Sequence, residues 1–343
     1  MKTRYLLSSV LVLASAIVSL THLTATAQSQ PDLAISRNTT NVTLSWSTNY
    51  PDYILESTGS LSGPWTDVAD ATNATVTLPM VSSNQFFRLK ETVSVTYIAN
   101  EGFLISGRSK KVLIDAIFTE GWGSYYTPPT NVLSQERDAT APFNNINALL
   151  ITHYHADHLR AAYVNQHLTN DPAAVLIGSL QVSNLLRTAS GSQWGQISNR
   201  VVTASPAAGS SEQISVGDLD FKVVSVPHED DAGGTIQNLG FLFSMGGLKF
   251  FHPGDPLADA LATYQNLNLA NEQIDVAFLP RWLFENSTNA QAVIDYLKPG
   301  QFVVMHIQIG QSDYYRNLIN TLTNLPPFYL MDTQMVTTVF PAK

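Results

Sequence analysis

The sequence predicts an α+β protein in which a small all-β sandwich domain precedes a larger domain of wide sheets with helices outside. Three observations carry that prediction. Before about residue 94 the chain shows only short period-two segments separated by turns. Beyond it, apolar strand-like runs alternate with helical stretches, as large sheets covered by helices require. Several of those runs end directly on a histidine or an aspartate, so a sheet edge would present ligand-type side chains together.

Residues 1–27 read as a secretory signal. Lys2 and Arg4 form the charged start, an apolar stretch covers about 6–20, and Ala25-Thr26-Ala27 offers small residues for cleavage. Thr21, His22 and Thr24 interrupt the apolar run, which favours cleavage over an anchor helix. The mature chain is therefore expected to be secreted or periplasmic, with no membrane span. There is no cysteine, so disulfides, thiolate ligands and a cysteine nucleophile are excluded. A composition 44 % hydrophobic and 13 % charged supports a large core. A formal net charge of −9 without a basic run argues against nucleic acid and leaves a small-molecule substrate as the expected partner.

Residues 28–93 alternate at 42–46, 52–57, 74–78 and 85–89, with the turn-rich Gly59-Ser60-Leu61-Ser62-Gly63-Pro64 between. Leu44-Ser45-Trp46, Leu55-Glu56-Ser57-Thr58 and Phe86-Phe87-Arg88-Leu89 resemble the strands of fibronectin-like β-sandwich modules in exported bacterial proteins. The resemblance implies an accessory domain, acting as a spacer or making contact with a surface or glycan.

Residues 94–343 form the second unit. Strands are expected at 95–98, 103–105 and 111–116. Residues 119–146 show no clear period; Trp122, Tyr125 and Tyr126 there form either a substrate wall or a lid on the core. A helix is expected over 157–168, with His167 on its surface, then strands at 173–177 and 221–226. Met245-Gly246-Gly247 marks a hairpin between 241–244 and 248–251. Helical spacing covers 256–269, 289–297 and 312–322, with strands at 274–279 and 302–305 between.

The chemistry concentrates in Ile-Thr-His-Tyr-His-Ala-Asp-His at 151–158. Imidazole and carboxylate are the ligands that borderline dications such as zinc prefer. On a strand His153 and His155 project to one side and can grip one metal; a turn after them offsets Asp157 and His158 toward a second. His228, Asp255 and His306 each follow a further apolar run. Glu229, Asp230 and Asp231 are either partners that fix imidazole tautomers or a solvated acidic turn. Arg281 and Trp282, after the strand ending at Pro280, suit an anionic or flat substrate.

In this set, 94–343 resembles the metallo-β-lactamase fold superfamily, whose signature is His-x-His-x-Asp-His, with His228, Gly254-Asp255 and His306 in the order of its remaining motifs. The resemblance implies an αββα sandwich. It implies two divalent ions, Zn2+ or else Mn2+ or Fe2+, one held by His153, His155 and His228 and the other by Asp157, His158 and His306, with Asp255 bridging. It implies hydrolysis of an ester, lactone or phosphodiester by water made acidic at the metals. Asp157 would orient that water and accept its proton, or only orient it, and His252, three residues before Asp255, either protonates the leaving group or is a histidine satisfied within its strand. The texture is closest to the ascorbate-phosphate lactonase-like branch, although Asn100-Glu101-Gly102 stands where that branch carries Gly-His, and Leu159-Arg160-Ala161 and Pro256 also depart. Asp255 and the lack of cysteine disfavour a β-lactam substrate. The competing readings are a non-catalytic surface- or glycan-binding protein with an inactive metal domain, and a di-iron oxidoreductase of the same fold; no flavodoxin-like segment accompanies the latter.

Overall fold

The structure, a computed structural model, describes residues 31–48, 52–69, 71, 74–81, 83–107, 110–231 and 234–342; the signal expected at 1–27 lies outside them. The first strands are β1 (Ala34–Arg37), β2 (Asn41–Ser45), β3 (Tyr53–Thr58), β4 (Thr66–Asp67) and β5 (Thr75–Pro79). β1, β2 and β5 form an antiparallel sheet of three. Its core is thin, with Leu44, Trp46, Leu55 and Val76 its buried apolar side chains among the described residues.

β6 (Phe86–Ala99) then runs for 14 residues. Its first half pairs with β3, and its second half with β7 (Gly102–Gly107). The change of texture at 93/94 thus falls inside one continuous strand. What changes there is the partner, not the backbone conformation.

The first layer continues through β8 (Lys110–Ile114), α1 (Thr130–Asp138), β9 (Ala148–Leu150), α2 (Ala161–Asn170), β10 (Val175–Gly178), α3 (Leu180–Ser190), α4 (Trp194–Ile197) and β11 (Val201–Thr203). The second comprises β12 (Ser211–Val216), β13 (Leu219–Ser225), β14 (Leu239–Met245), β15 (Leu248–His252), α5 (Leu261–Asn266), β16 (Val276–Pro280), α6 (Ser287–Leu297), β17 (Gln301–Met305), α7 (Ser312–Ile319) and β18 (Phe328–Leu330). β19 (Thr337–Pro341) returns to pair with β6. The large sheets run β11-β10-β9-β8-β7-β6-β3-β4 and β12-β13-β14-β15-β16-β17-β18.

The sheets face each other across one core that includes Val95, Phe103, Ile114 and Leu150 from the first and Phe221, Phe241, Phe250 and Phe278 from the second. A second core, with Val164, Leu168 and Leu186, lies under the helices of the first layer; a third, with Tyr264, Val293 and Tyr315, lies under those of the other. This is the expected αββα order. Parallel strands covered on both faces read as unbroken apolar runs, and all five residues of β16 are buried.

Several expectations shift. The stretch at 119–146 contains α1, whose buried face is Val132 and Glu136; a carboxyl where an apolar residue would stand conceals the period. The helix expected over 157–168 starts only at Ala161, so Asp157 and His158 remain on a loop. His167 is buried rather than exposed: its Nδ1–H donates to the Glu136 carbonyl and ties α2 to α1. Of 256–269 only 261–266 is α-helical.

β8 to β11 are parallel, and so are β15 to β18. Their carboxyl ends fall at one edge of each sheet, where α/β folds place ligands.

Candidate metal centre

At the end of the first sheet the chain leaves β9 through Ile151, Thr152 and His153. Asp115, one residue past β8, organises this exit. Its carboxylate accepts from the Thr152 backbone N–H at 2.9 Å, the Thr152 hydroxyl at 2.5 Å and His158 Nδ1–H at 3.0 Å. The last bond fixes the His158 tautomer and leaves Nε2 free to ligate. The Thr152 hydroxyl also lies 3.0 Å from His153 Nδ1.

The second sheet delivers His228 after β13, Asp255 after β15 and His306 after β17. Asn238 ties two of these loops together. Its amide donates to the carbonyls of Val226 at 3.3 Å and Pro253 at 3.1 Å, and its oxygen accepts from the Asp255 N–H at 3.3 Å. Gly254 has φ +64°, and a Cβ there would stand 2.2 Å from Asn238 Oδ1, so only glycine fits. His306 N–H donates to the Asn100 carbonyl at 3.1 Å, and Asn100 Nδ2 donates to Asp157 Oδ2 at 3.0 Å. Asn100, Asp115 and His306 all have positive φ, at 50°, 41° and 57°. Left-handed backbone at non-glycine residues is costly and collects at functional sites.

The seven side chains expected to ligate come together. Ligand atoms of His153, His155 and His228 lie within 4.8 Å of one another, and so do those of Asp157, His158 and His306. Asp255 stands between the two groups: its oxygens are 3.4 Å from His158 Nε2, 3.6 Å from His306, 3.8 Å from His228 and 3.9 Å from His153. Atoms bound about 2.0–2.2 Å from one tetrahedral dication are about 3.3–3.6 Å apart. His158 Nε2 and Asp255 Oδ1 are buried and carry no hydrogen bond in the protein. Spacing and unsatisfied ligand atoms both fit two divalent ions.

The electrostatics agree. Burial holds His153 well below the ordinary imidazole range and lowers His155 and His228, keeping all three in the neutral, ligating form. Asp255 lies well below the carboxylate range: burial opposes this, but His158 and His306 outweigh it. His158 is held well above its ordinary value, because Asp255, Asp157 and Asp115 overcome its burial. The carboxylate side of the centre therefore favours positive charge.

Around the mouth, Tyr125 sets its ring edge-on to His306 at 4.4 Å, and Trp282 does so at 5.0 Å. Arg281 donates to the hydroxyls of Tyr125 and Tyr315, each at 3.0 Å, and to Glu285. Of the three aromatics of the 119–146 stretch, Tyr125 stands against His306, Tyr126 packs on the core under the helices of the first layer, and Trp122 is exposed.

One expectation needs correction. His252 is not placed as a leaving-group acid. It is fully buried between Phe103 and Phe278; its Nε2–H donates to the Glu101 carbonyl at 3.1 Å, and its Nδ1 accepts from the Gly254 N–H at 3.2 Å. Burial lowers its pKa to about 4, and no ring nitrogen is left for a substrate. In the acidic turn, Asp230 offers His228 Nδ1 a backbone N–H at 3.1 Å, not its carboxylate, and Asp231 binds Thr235 and Ile236 instead. Sequence reasoning missed Asp115, Asn100 and Asn238. The first had a usable signal, since Asp115 also ends an apolar run.

A family model described as the beta-lactamase superfamily domain matches residues 94–306. Among solved structures the chain is similar to Igni18, a novel metallo hydrolase from the hyperthermophilic archaeon Ignicoccus hospitalis, at 18% identity over 74% of this chain and 100% of that one, with a TM-score of 0.51. A possible metal-dependent hydrolase from Veillonella parvula gives 12% identity, coverages of 72% and 99%, and a TM-score of 0.51. CmlA, a diiron β-hydroxylase from Streptomyces venezuelae, gives 14% identity, coverages of 74% and 55%, and a TM-score of 0.50. At such identities the likeness is one of fold. No curated protein matches.

Proposed function

Because the chain belongs to the beta-lactamase superfamily, we propose that it is a binuclear metal-dependent hydrolase acting on an ester, lactone or phosphodiester. The observation that carries this reading is the convergence of seven histidine and aspartate ligands, with Asp255 placed between two ligand groups. His153, His155 and His228 would hold one ion, and Asp157, His158 and His306 the other, with Asp255 shared. Two dications held there, zinc in the first instance, would supply water acidified toward neutrality and positive charge for a developing oxyanion.

The chain's own groups do the rest. Asn100 Nδ2 holds Asp157 at 3.0 Å, and His158 and His306 keep its carboxylate ionised against the effect of burial. Asp157 thus orients the attacking water and accepts its proton. Tyr125 and Trp282 narrow the mouth beside His306, and the guanidinium of Arg281 stands behind Tyr125 for an anionic or flat substrate. With His252 withdrawn, the leaving group takes its proton from Asp157 or from solvent.

Residues 1–27 support export, to the periplasm or outside the cell, and no helix among the described residues is long and apolar enough to cross a membrane. The fibronectin-like 28–93 stretch is proposed as an accessory that contacts a surface or glycan, and the lactonase-like texture of the larger unit makes lactones the first substrates to try.

The test is metal analysis of the purified chain followed by assay of lactones and bis-phenyl phosphate esters. About two divalent ions per chain, with turnover abolished in His155→Ala and Asp255→Ala, is the expected result. Bound iron with a flavin colour would replace this reading with the oxidoreductase one. Metal without turnover on any of these substrates would favour the binding reading.

A further inference from the structure

We propose that Glu101 is an additional ligand of the second cation, making that position carboxylate-rich and selective for a harder dication, manganese(II) or iron(II), than the tri-imidazole position beside it. The inference rests on the metal-centre reading above and deepens it.

Topology brings Glu101 to the site. β7 runs antiparallel to β8, so the turn that opens β7 lies at the same edge as the carboxyl end of β8. That turn is pressed close. A Cβ on Gly102 would stand 2.9 Å from both Ala116 Cα and the Ala99 carbonyl oxygen, and Asn100 takes the left-handed conformation. Asn100 is already part of the centre through Asp157 and His306.

Glu101 itself is fully buried, and neither of its carboxylate oxygens has a hydrogen-bond partner. Its ligand oxygen lies within 4.8 Å of ligand atoms of Asp255 and His306, and it forms a second such group with Asp115 and His158. A buried carboxylate without a donor is expensive, and placing it beside Asp255 compounds the cost. A dication held by Asp157, His158, His306 and Asp255 removes that cost by accepting Glu101 as well. The second position then has three carboxylates and two imidazoles, against three imidazoles and the shared Asp255 at the first. Carboxylate oxygen and higher coordination suit manganese(II) and iron(II); a site of mostly imidazole suits zinc.

The experiment strips the full chain with a chelator and reloads it with zinc alone, manganese alone, or both. Metal per chain is counted and affinity is measured by chelator competition, with thermal melting of the stripped and loaded forms. Wild type is compared with E101Q, which keeps the shape, and with E101A. Wild type should hold two metals and take manganese at one position. Both variants should keep one zinc, bind the second metal at least about 10-fold more weakly and lose the manganese preference. Stripped E101Q should melt at or above wild type, since a buried acid without a hydrogen-bond partner has gone, while its rise in Tm on loading is smaller. Variants that keep two metals at wild-type affinity and preference would overturn the proposal, as would stripped variants that melt lower with unchanged metal binding, the mark of a purely structural Glu101. Wild type that holds no metal would remove the metal-centre reading together with this one, a result distinct from both.

Discussion

The two halves of the metal centre are assembled in different ways. The imidazole half takes His153 and His155 from one loop and adds His228; its members are held neutral by burial. The carboxylate half takes Asp157 and His158 from the same loop but depends on Asn100, Asp115 and His306, which arrive from three other segments in left-handed backbone. The first half is a local motif with one distant addition. The second is a tertiary product, and Asp255 joins them.

Asp255 is therefore the residue whose loss should do most. D255N should lose both metals or their mutual spacing and reduce kcat/KM by about 10³-fold or more, read by metal count and by hydrolysis of whichever ester proves active. If only the carboxylate half empties, the halves are independent and the shared role is wrong. Next in size is G254A. A Cβ 2.2 Å from Asn238 Oδ1, at φ +64°, should destabilise the fold by about 2–4 kcal/mol in urea titration. It would displace Asp255 and so weaken both halves together.

D115N separates the halves. It disturbs the Thr152 and His158 bonds, and with them the tautomer that presents His158 Nε2. The second metal should bind about 10–100-fold more weakly, while the first loses little. Chelator competition resolves the two sites. Equal losses at both would mean that Asp115 serves the whole loop through Thr152 and not the carboxylate half through His158.

The same contrast explains what was legible in the sequence. His153, His155, Asp157, His158, His228, Asp255 and His306 all stand at or just beyond apolar runs, and side chains at strand ends can be placed without knowing what packs between them. Asp115 gives the same signal after Val112-Leu113-Ile114, but with no histidine beside it the sequence marks it only as the end of a strand. Asn100 and Glu101 stand out only as a departure from the Gly-His of the lactonase-like branch, because polar residues in a tight turn between strands are ordinary. Nearness in sequence misplaced His252. Three residues from Asp255, it is still within β15 and lies against Phe103 and Phe278 in the core. The sheets were legible from their apolar runs, whereas α1 was hidden by a buried Glu136 and the continuity of β6 by a change of pairing partner.

The smallest expected effect lies on the imidazole side, at Glu229, beside His228. Burial, then Asp255 and Asp230, raise its carboxyl from 4.5 to about 8. In the metal-free protein, between these values, the folded chain holds a proton that the unfolded chain has released. The stability this provides is complete below about pH 4.5 and is lost as pH rises toward 8. E229Q has no such proton to lose. Its stability relative to wild type should therefore grow from pH 5 to pH 8, by about 1–2 kcal/mol once partial exposure is discounted, in urea titrations of stripped protein. Loading with zinc should narrow the gap, because the cations offset the Asp255 charge that helps keep Glu229 protonated. A gap that is the same with and without metal would place the cause in burial alone and detach Glu229 from the centre.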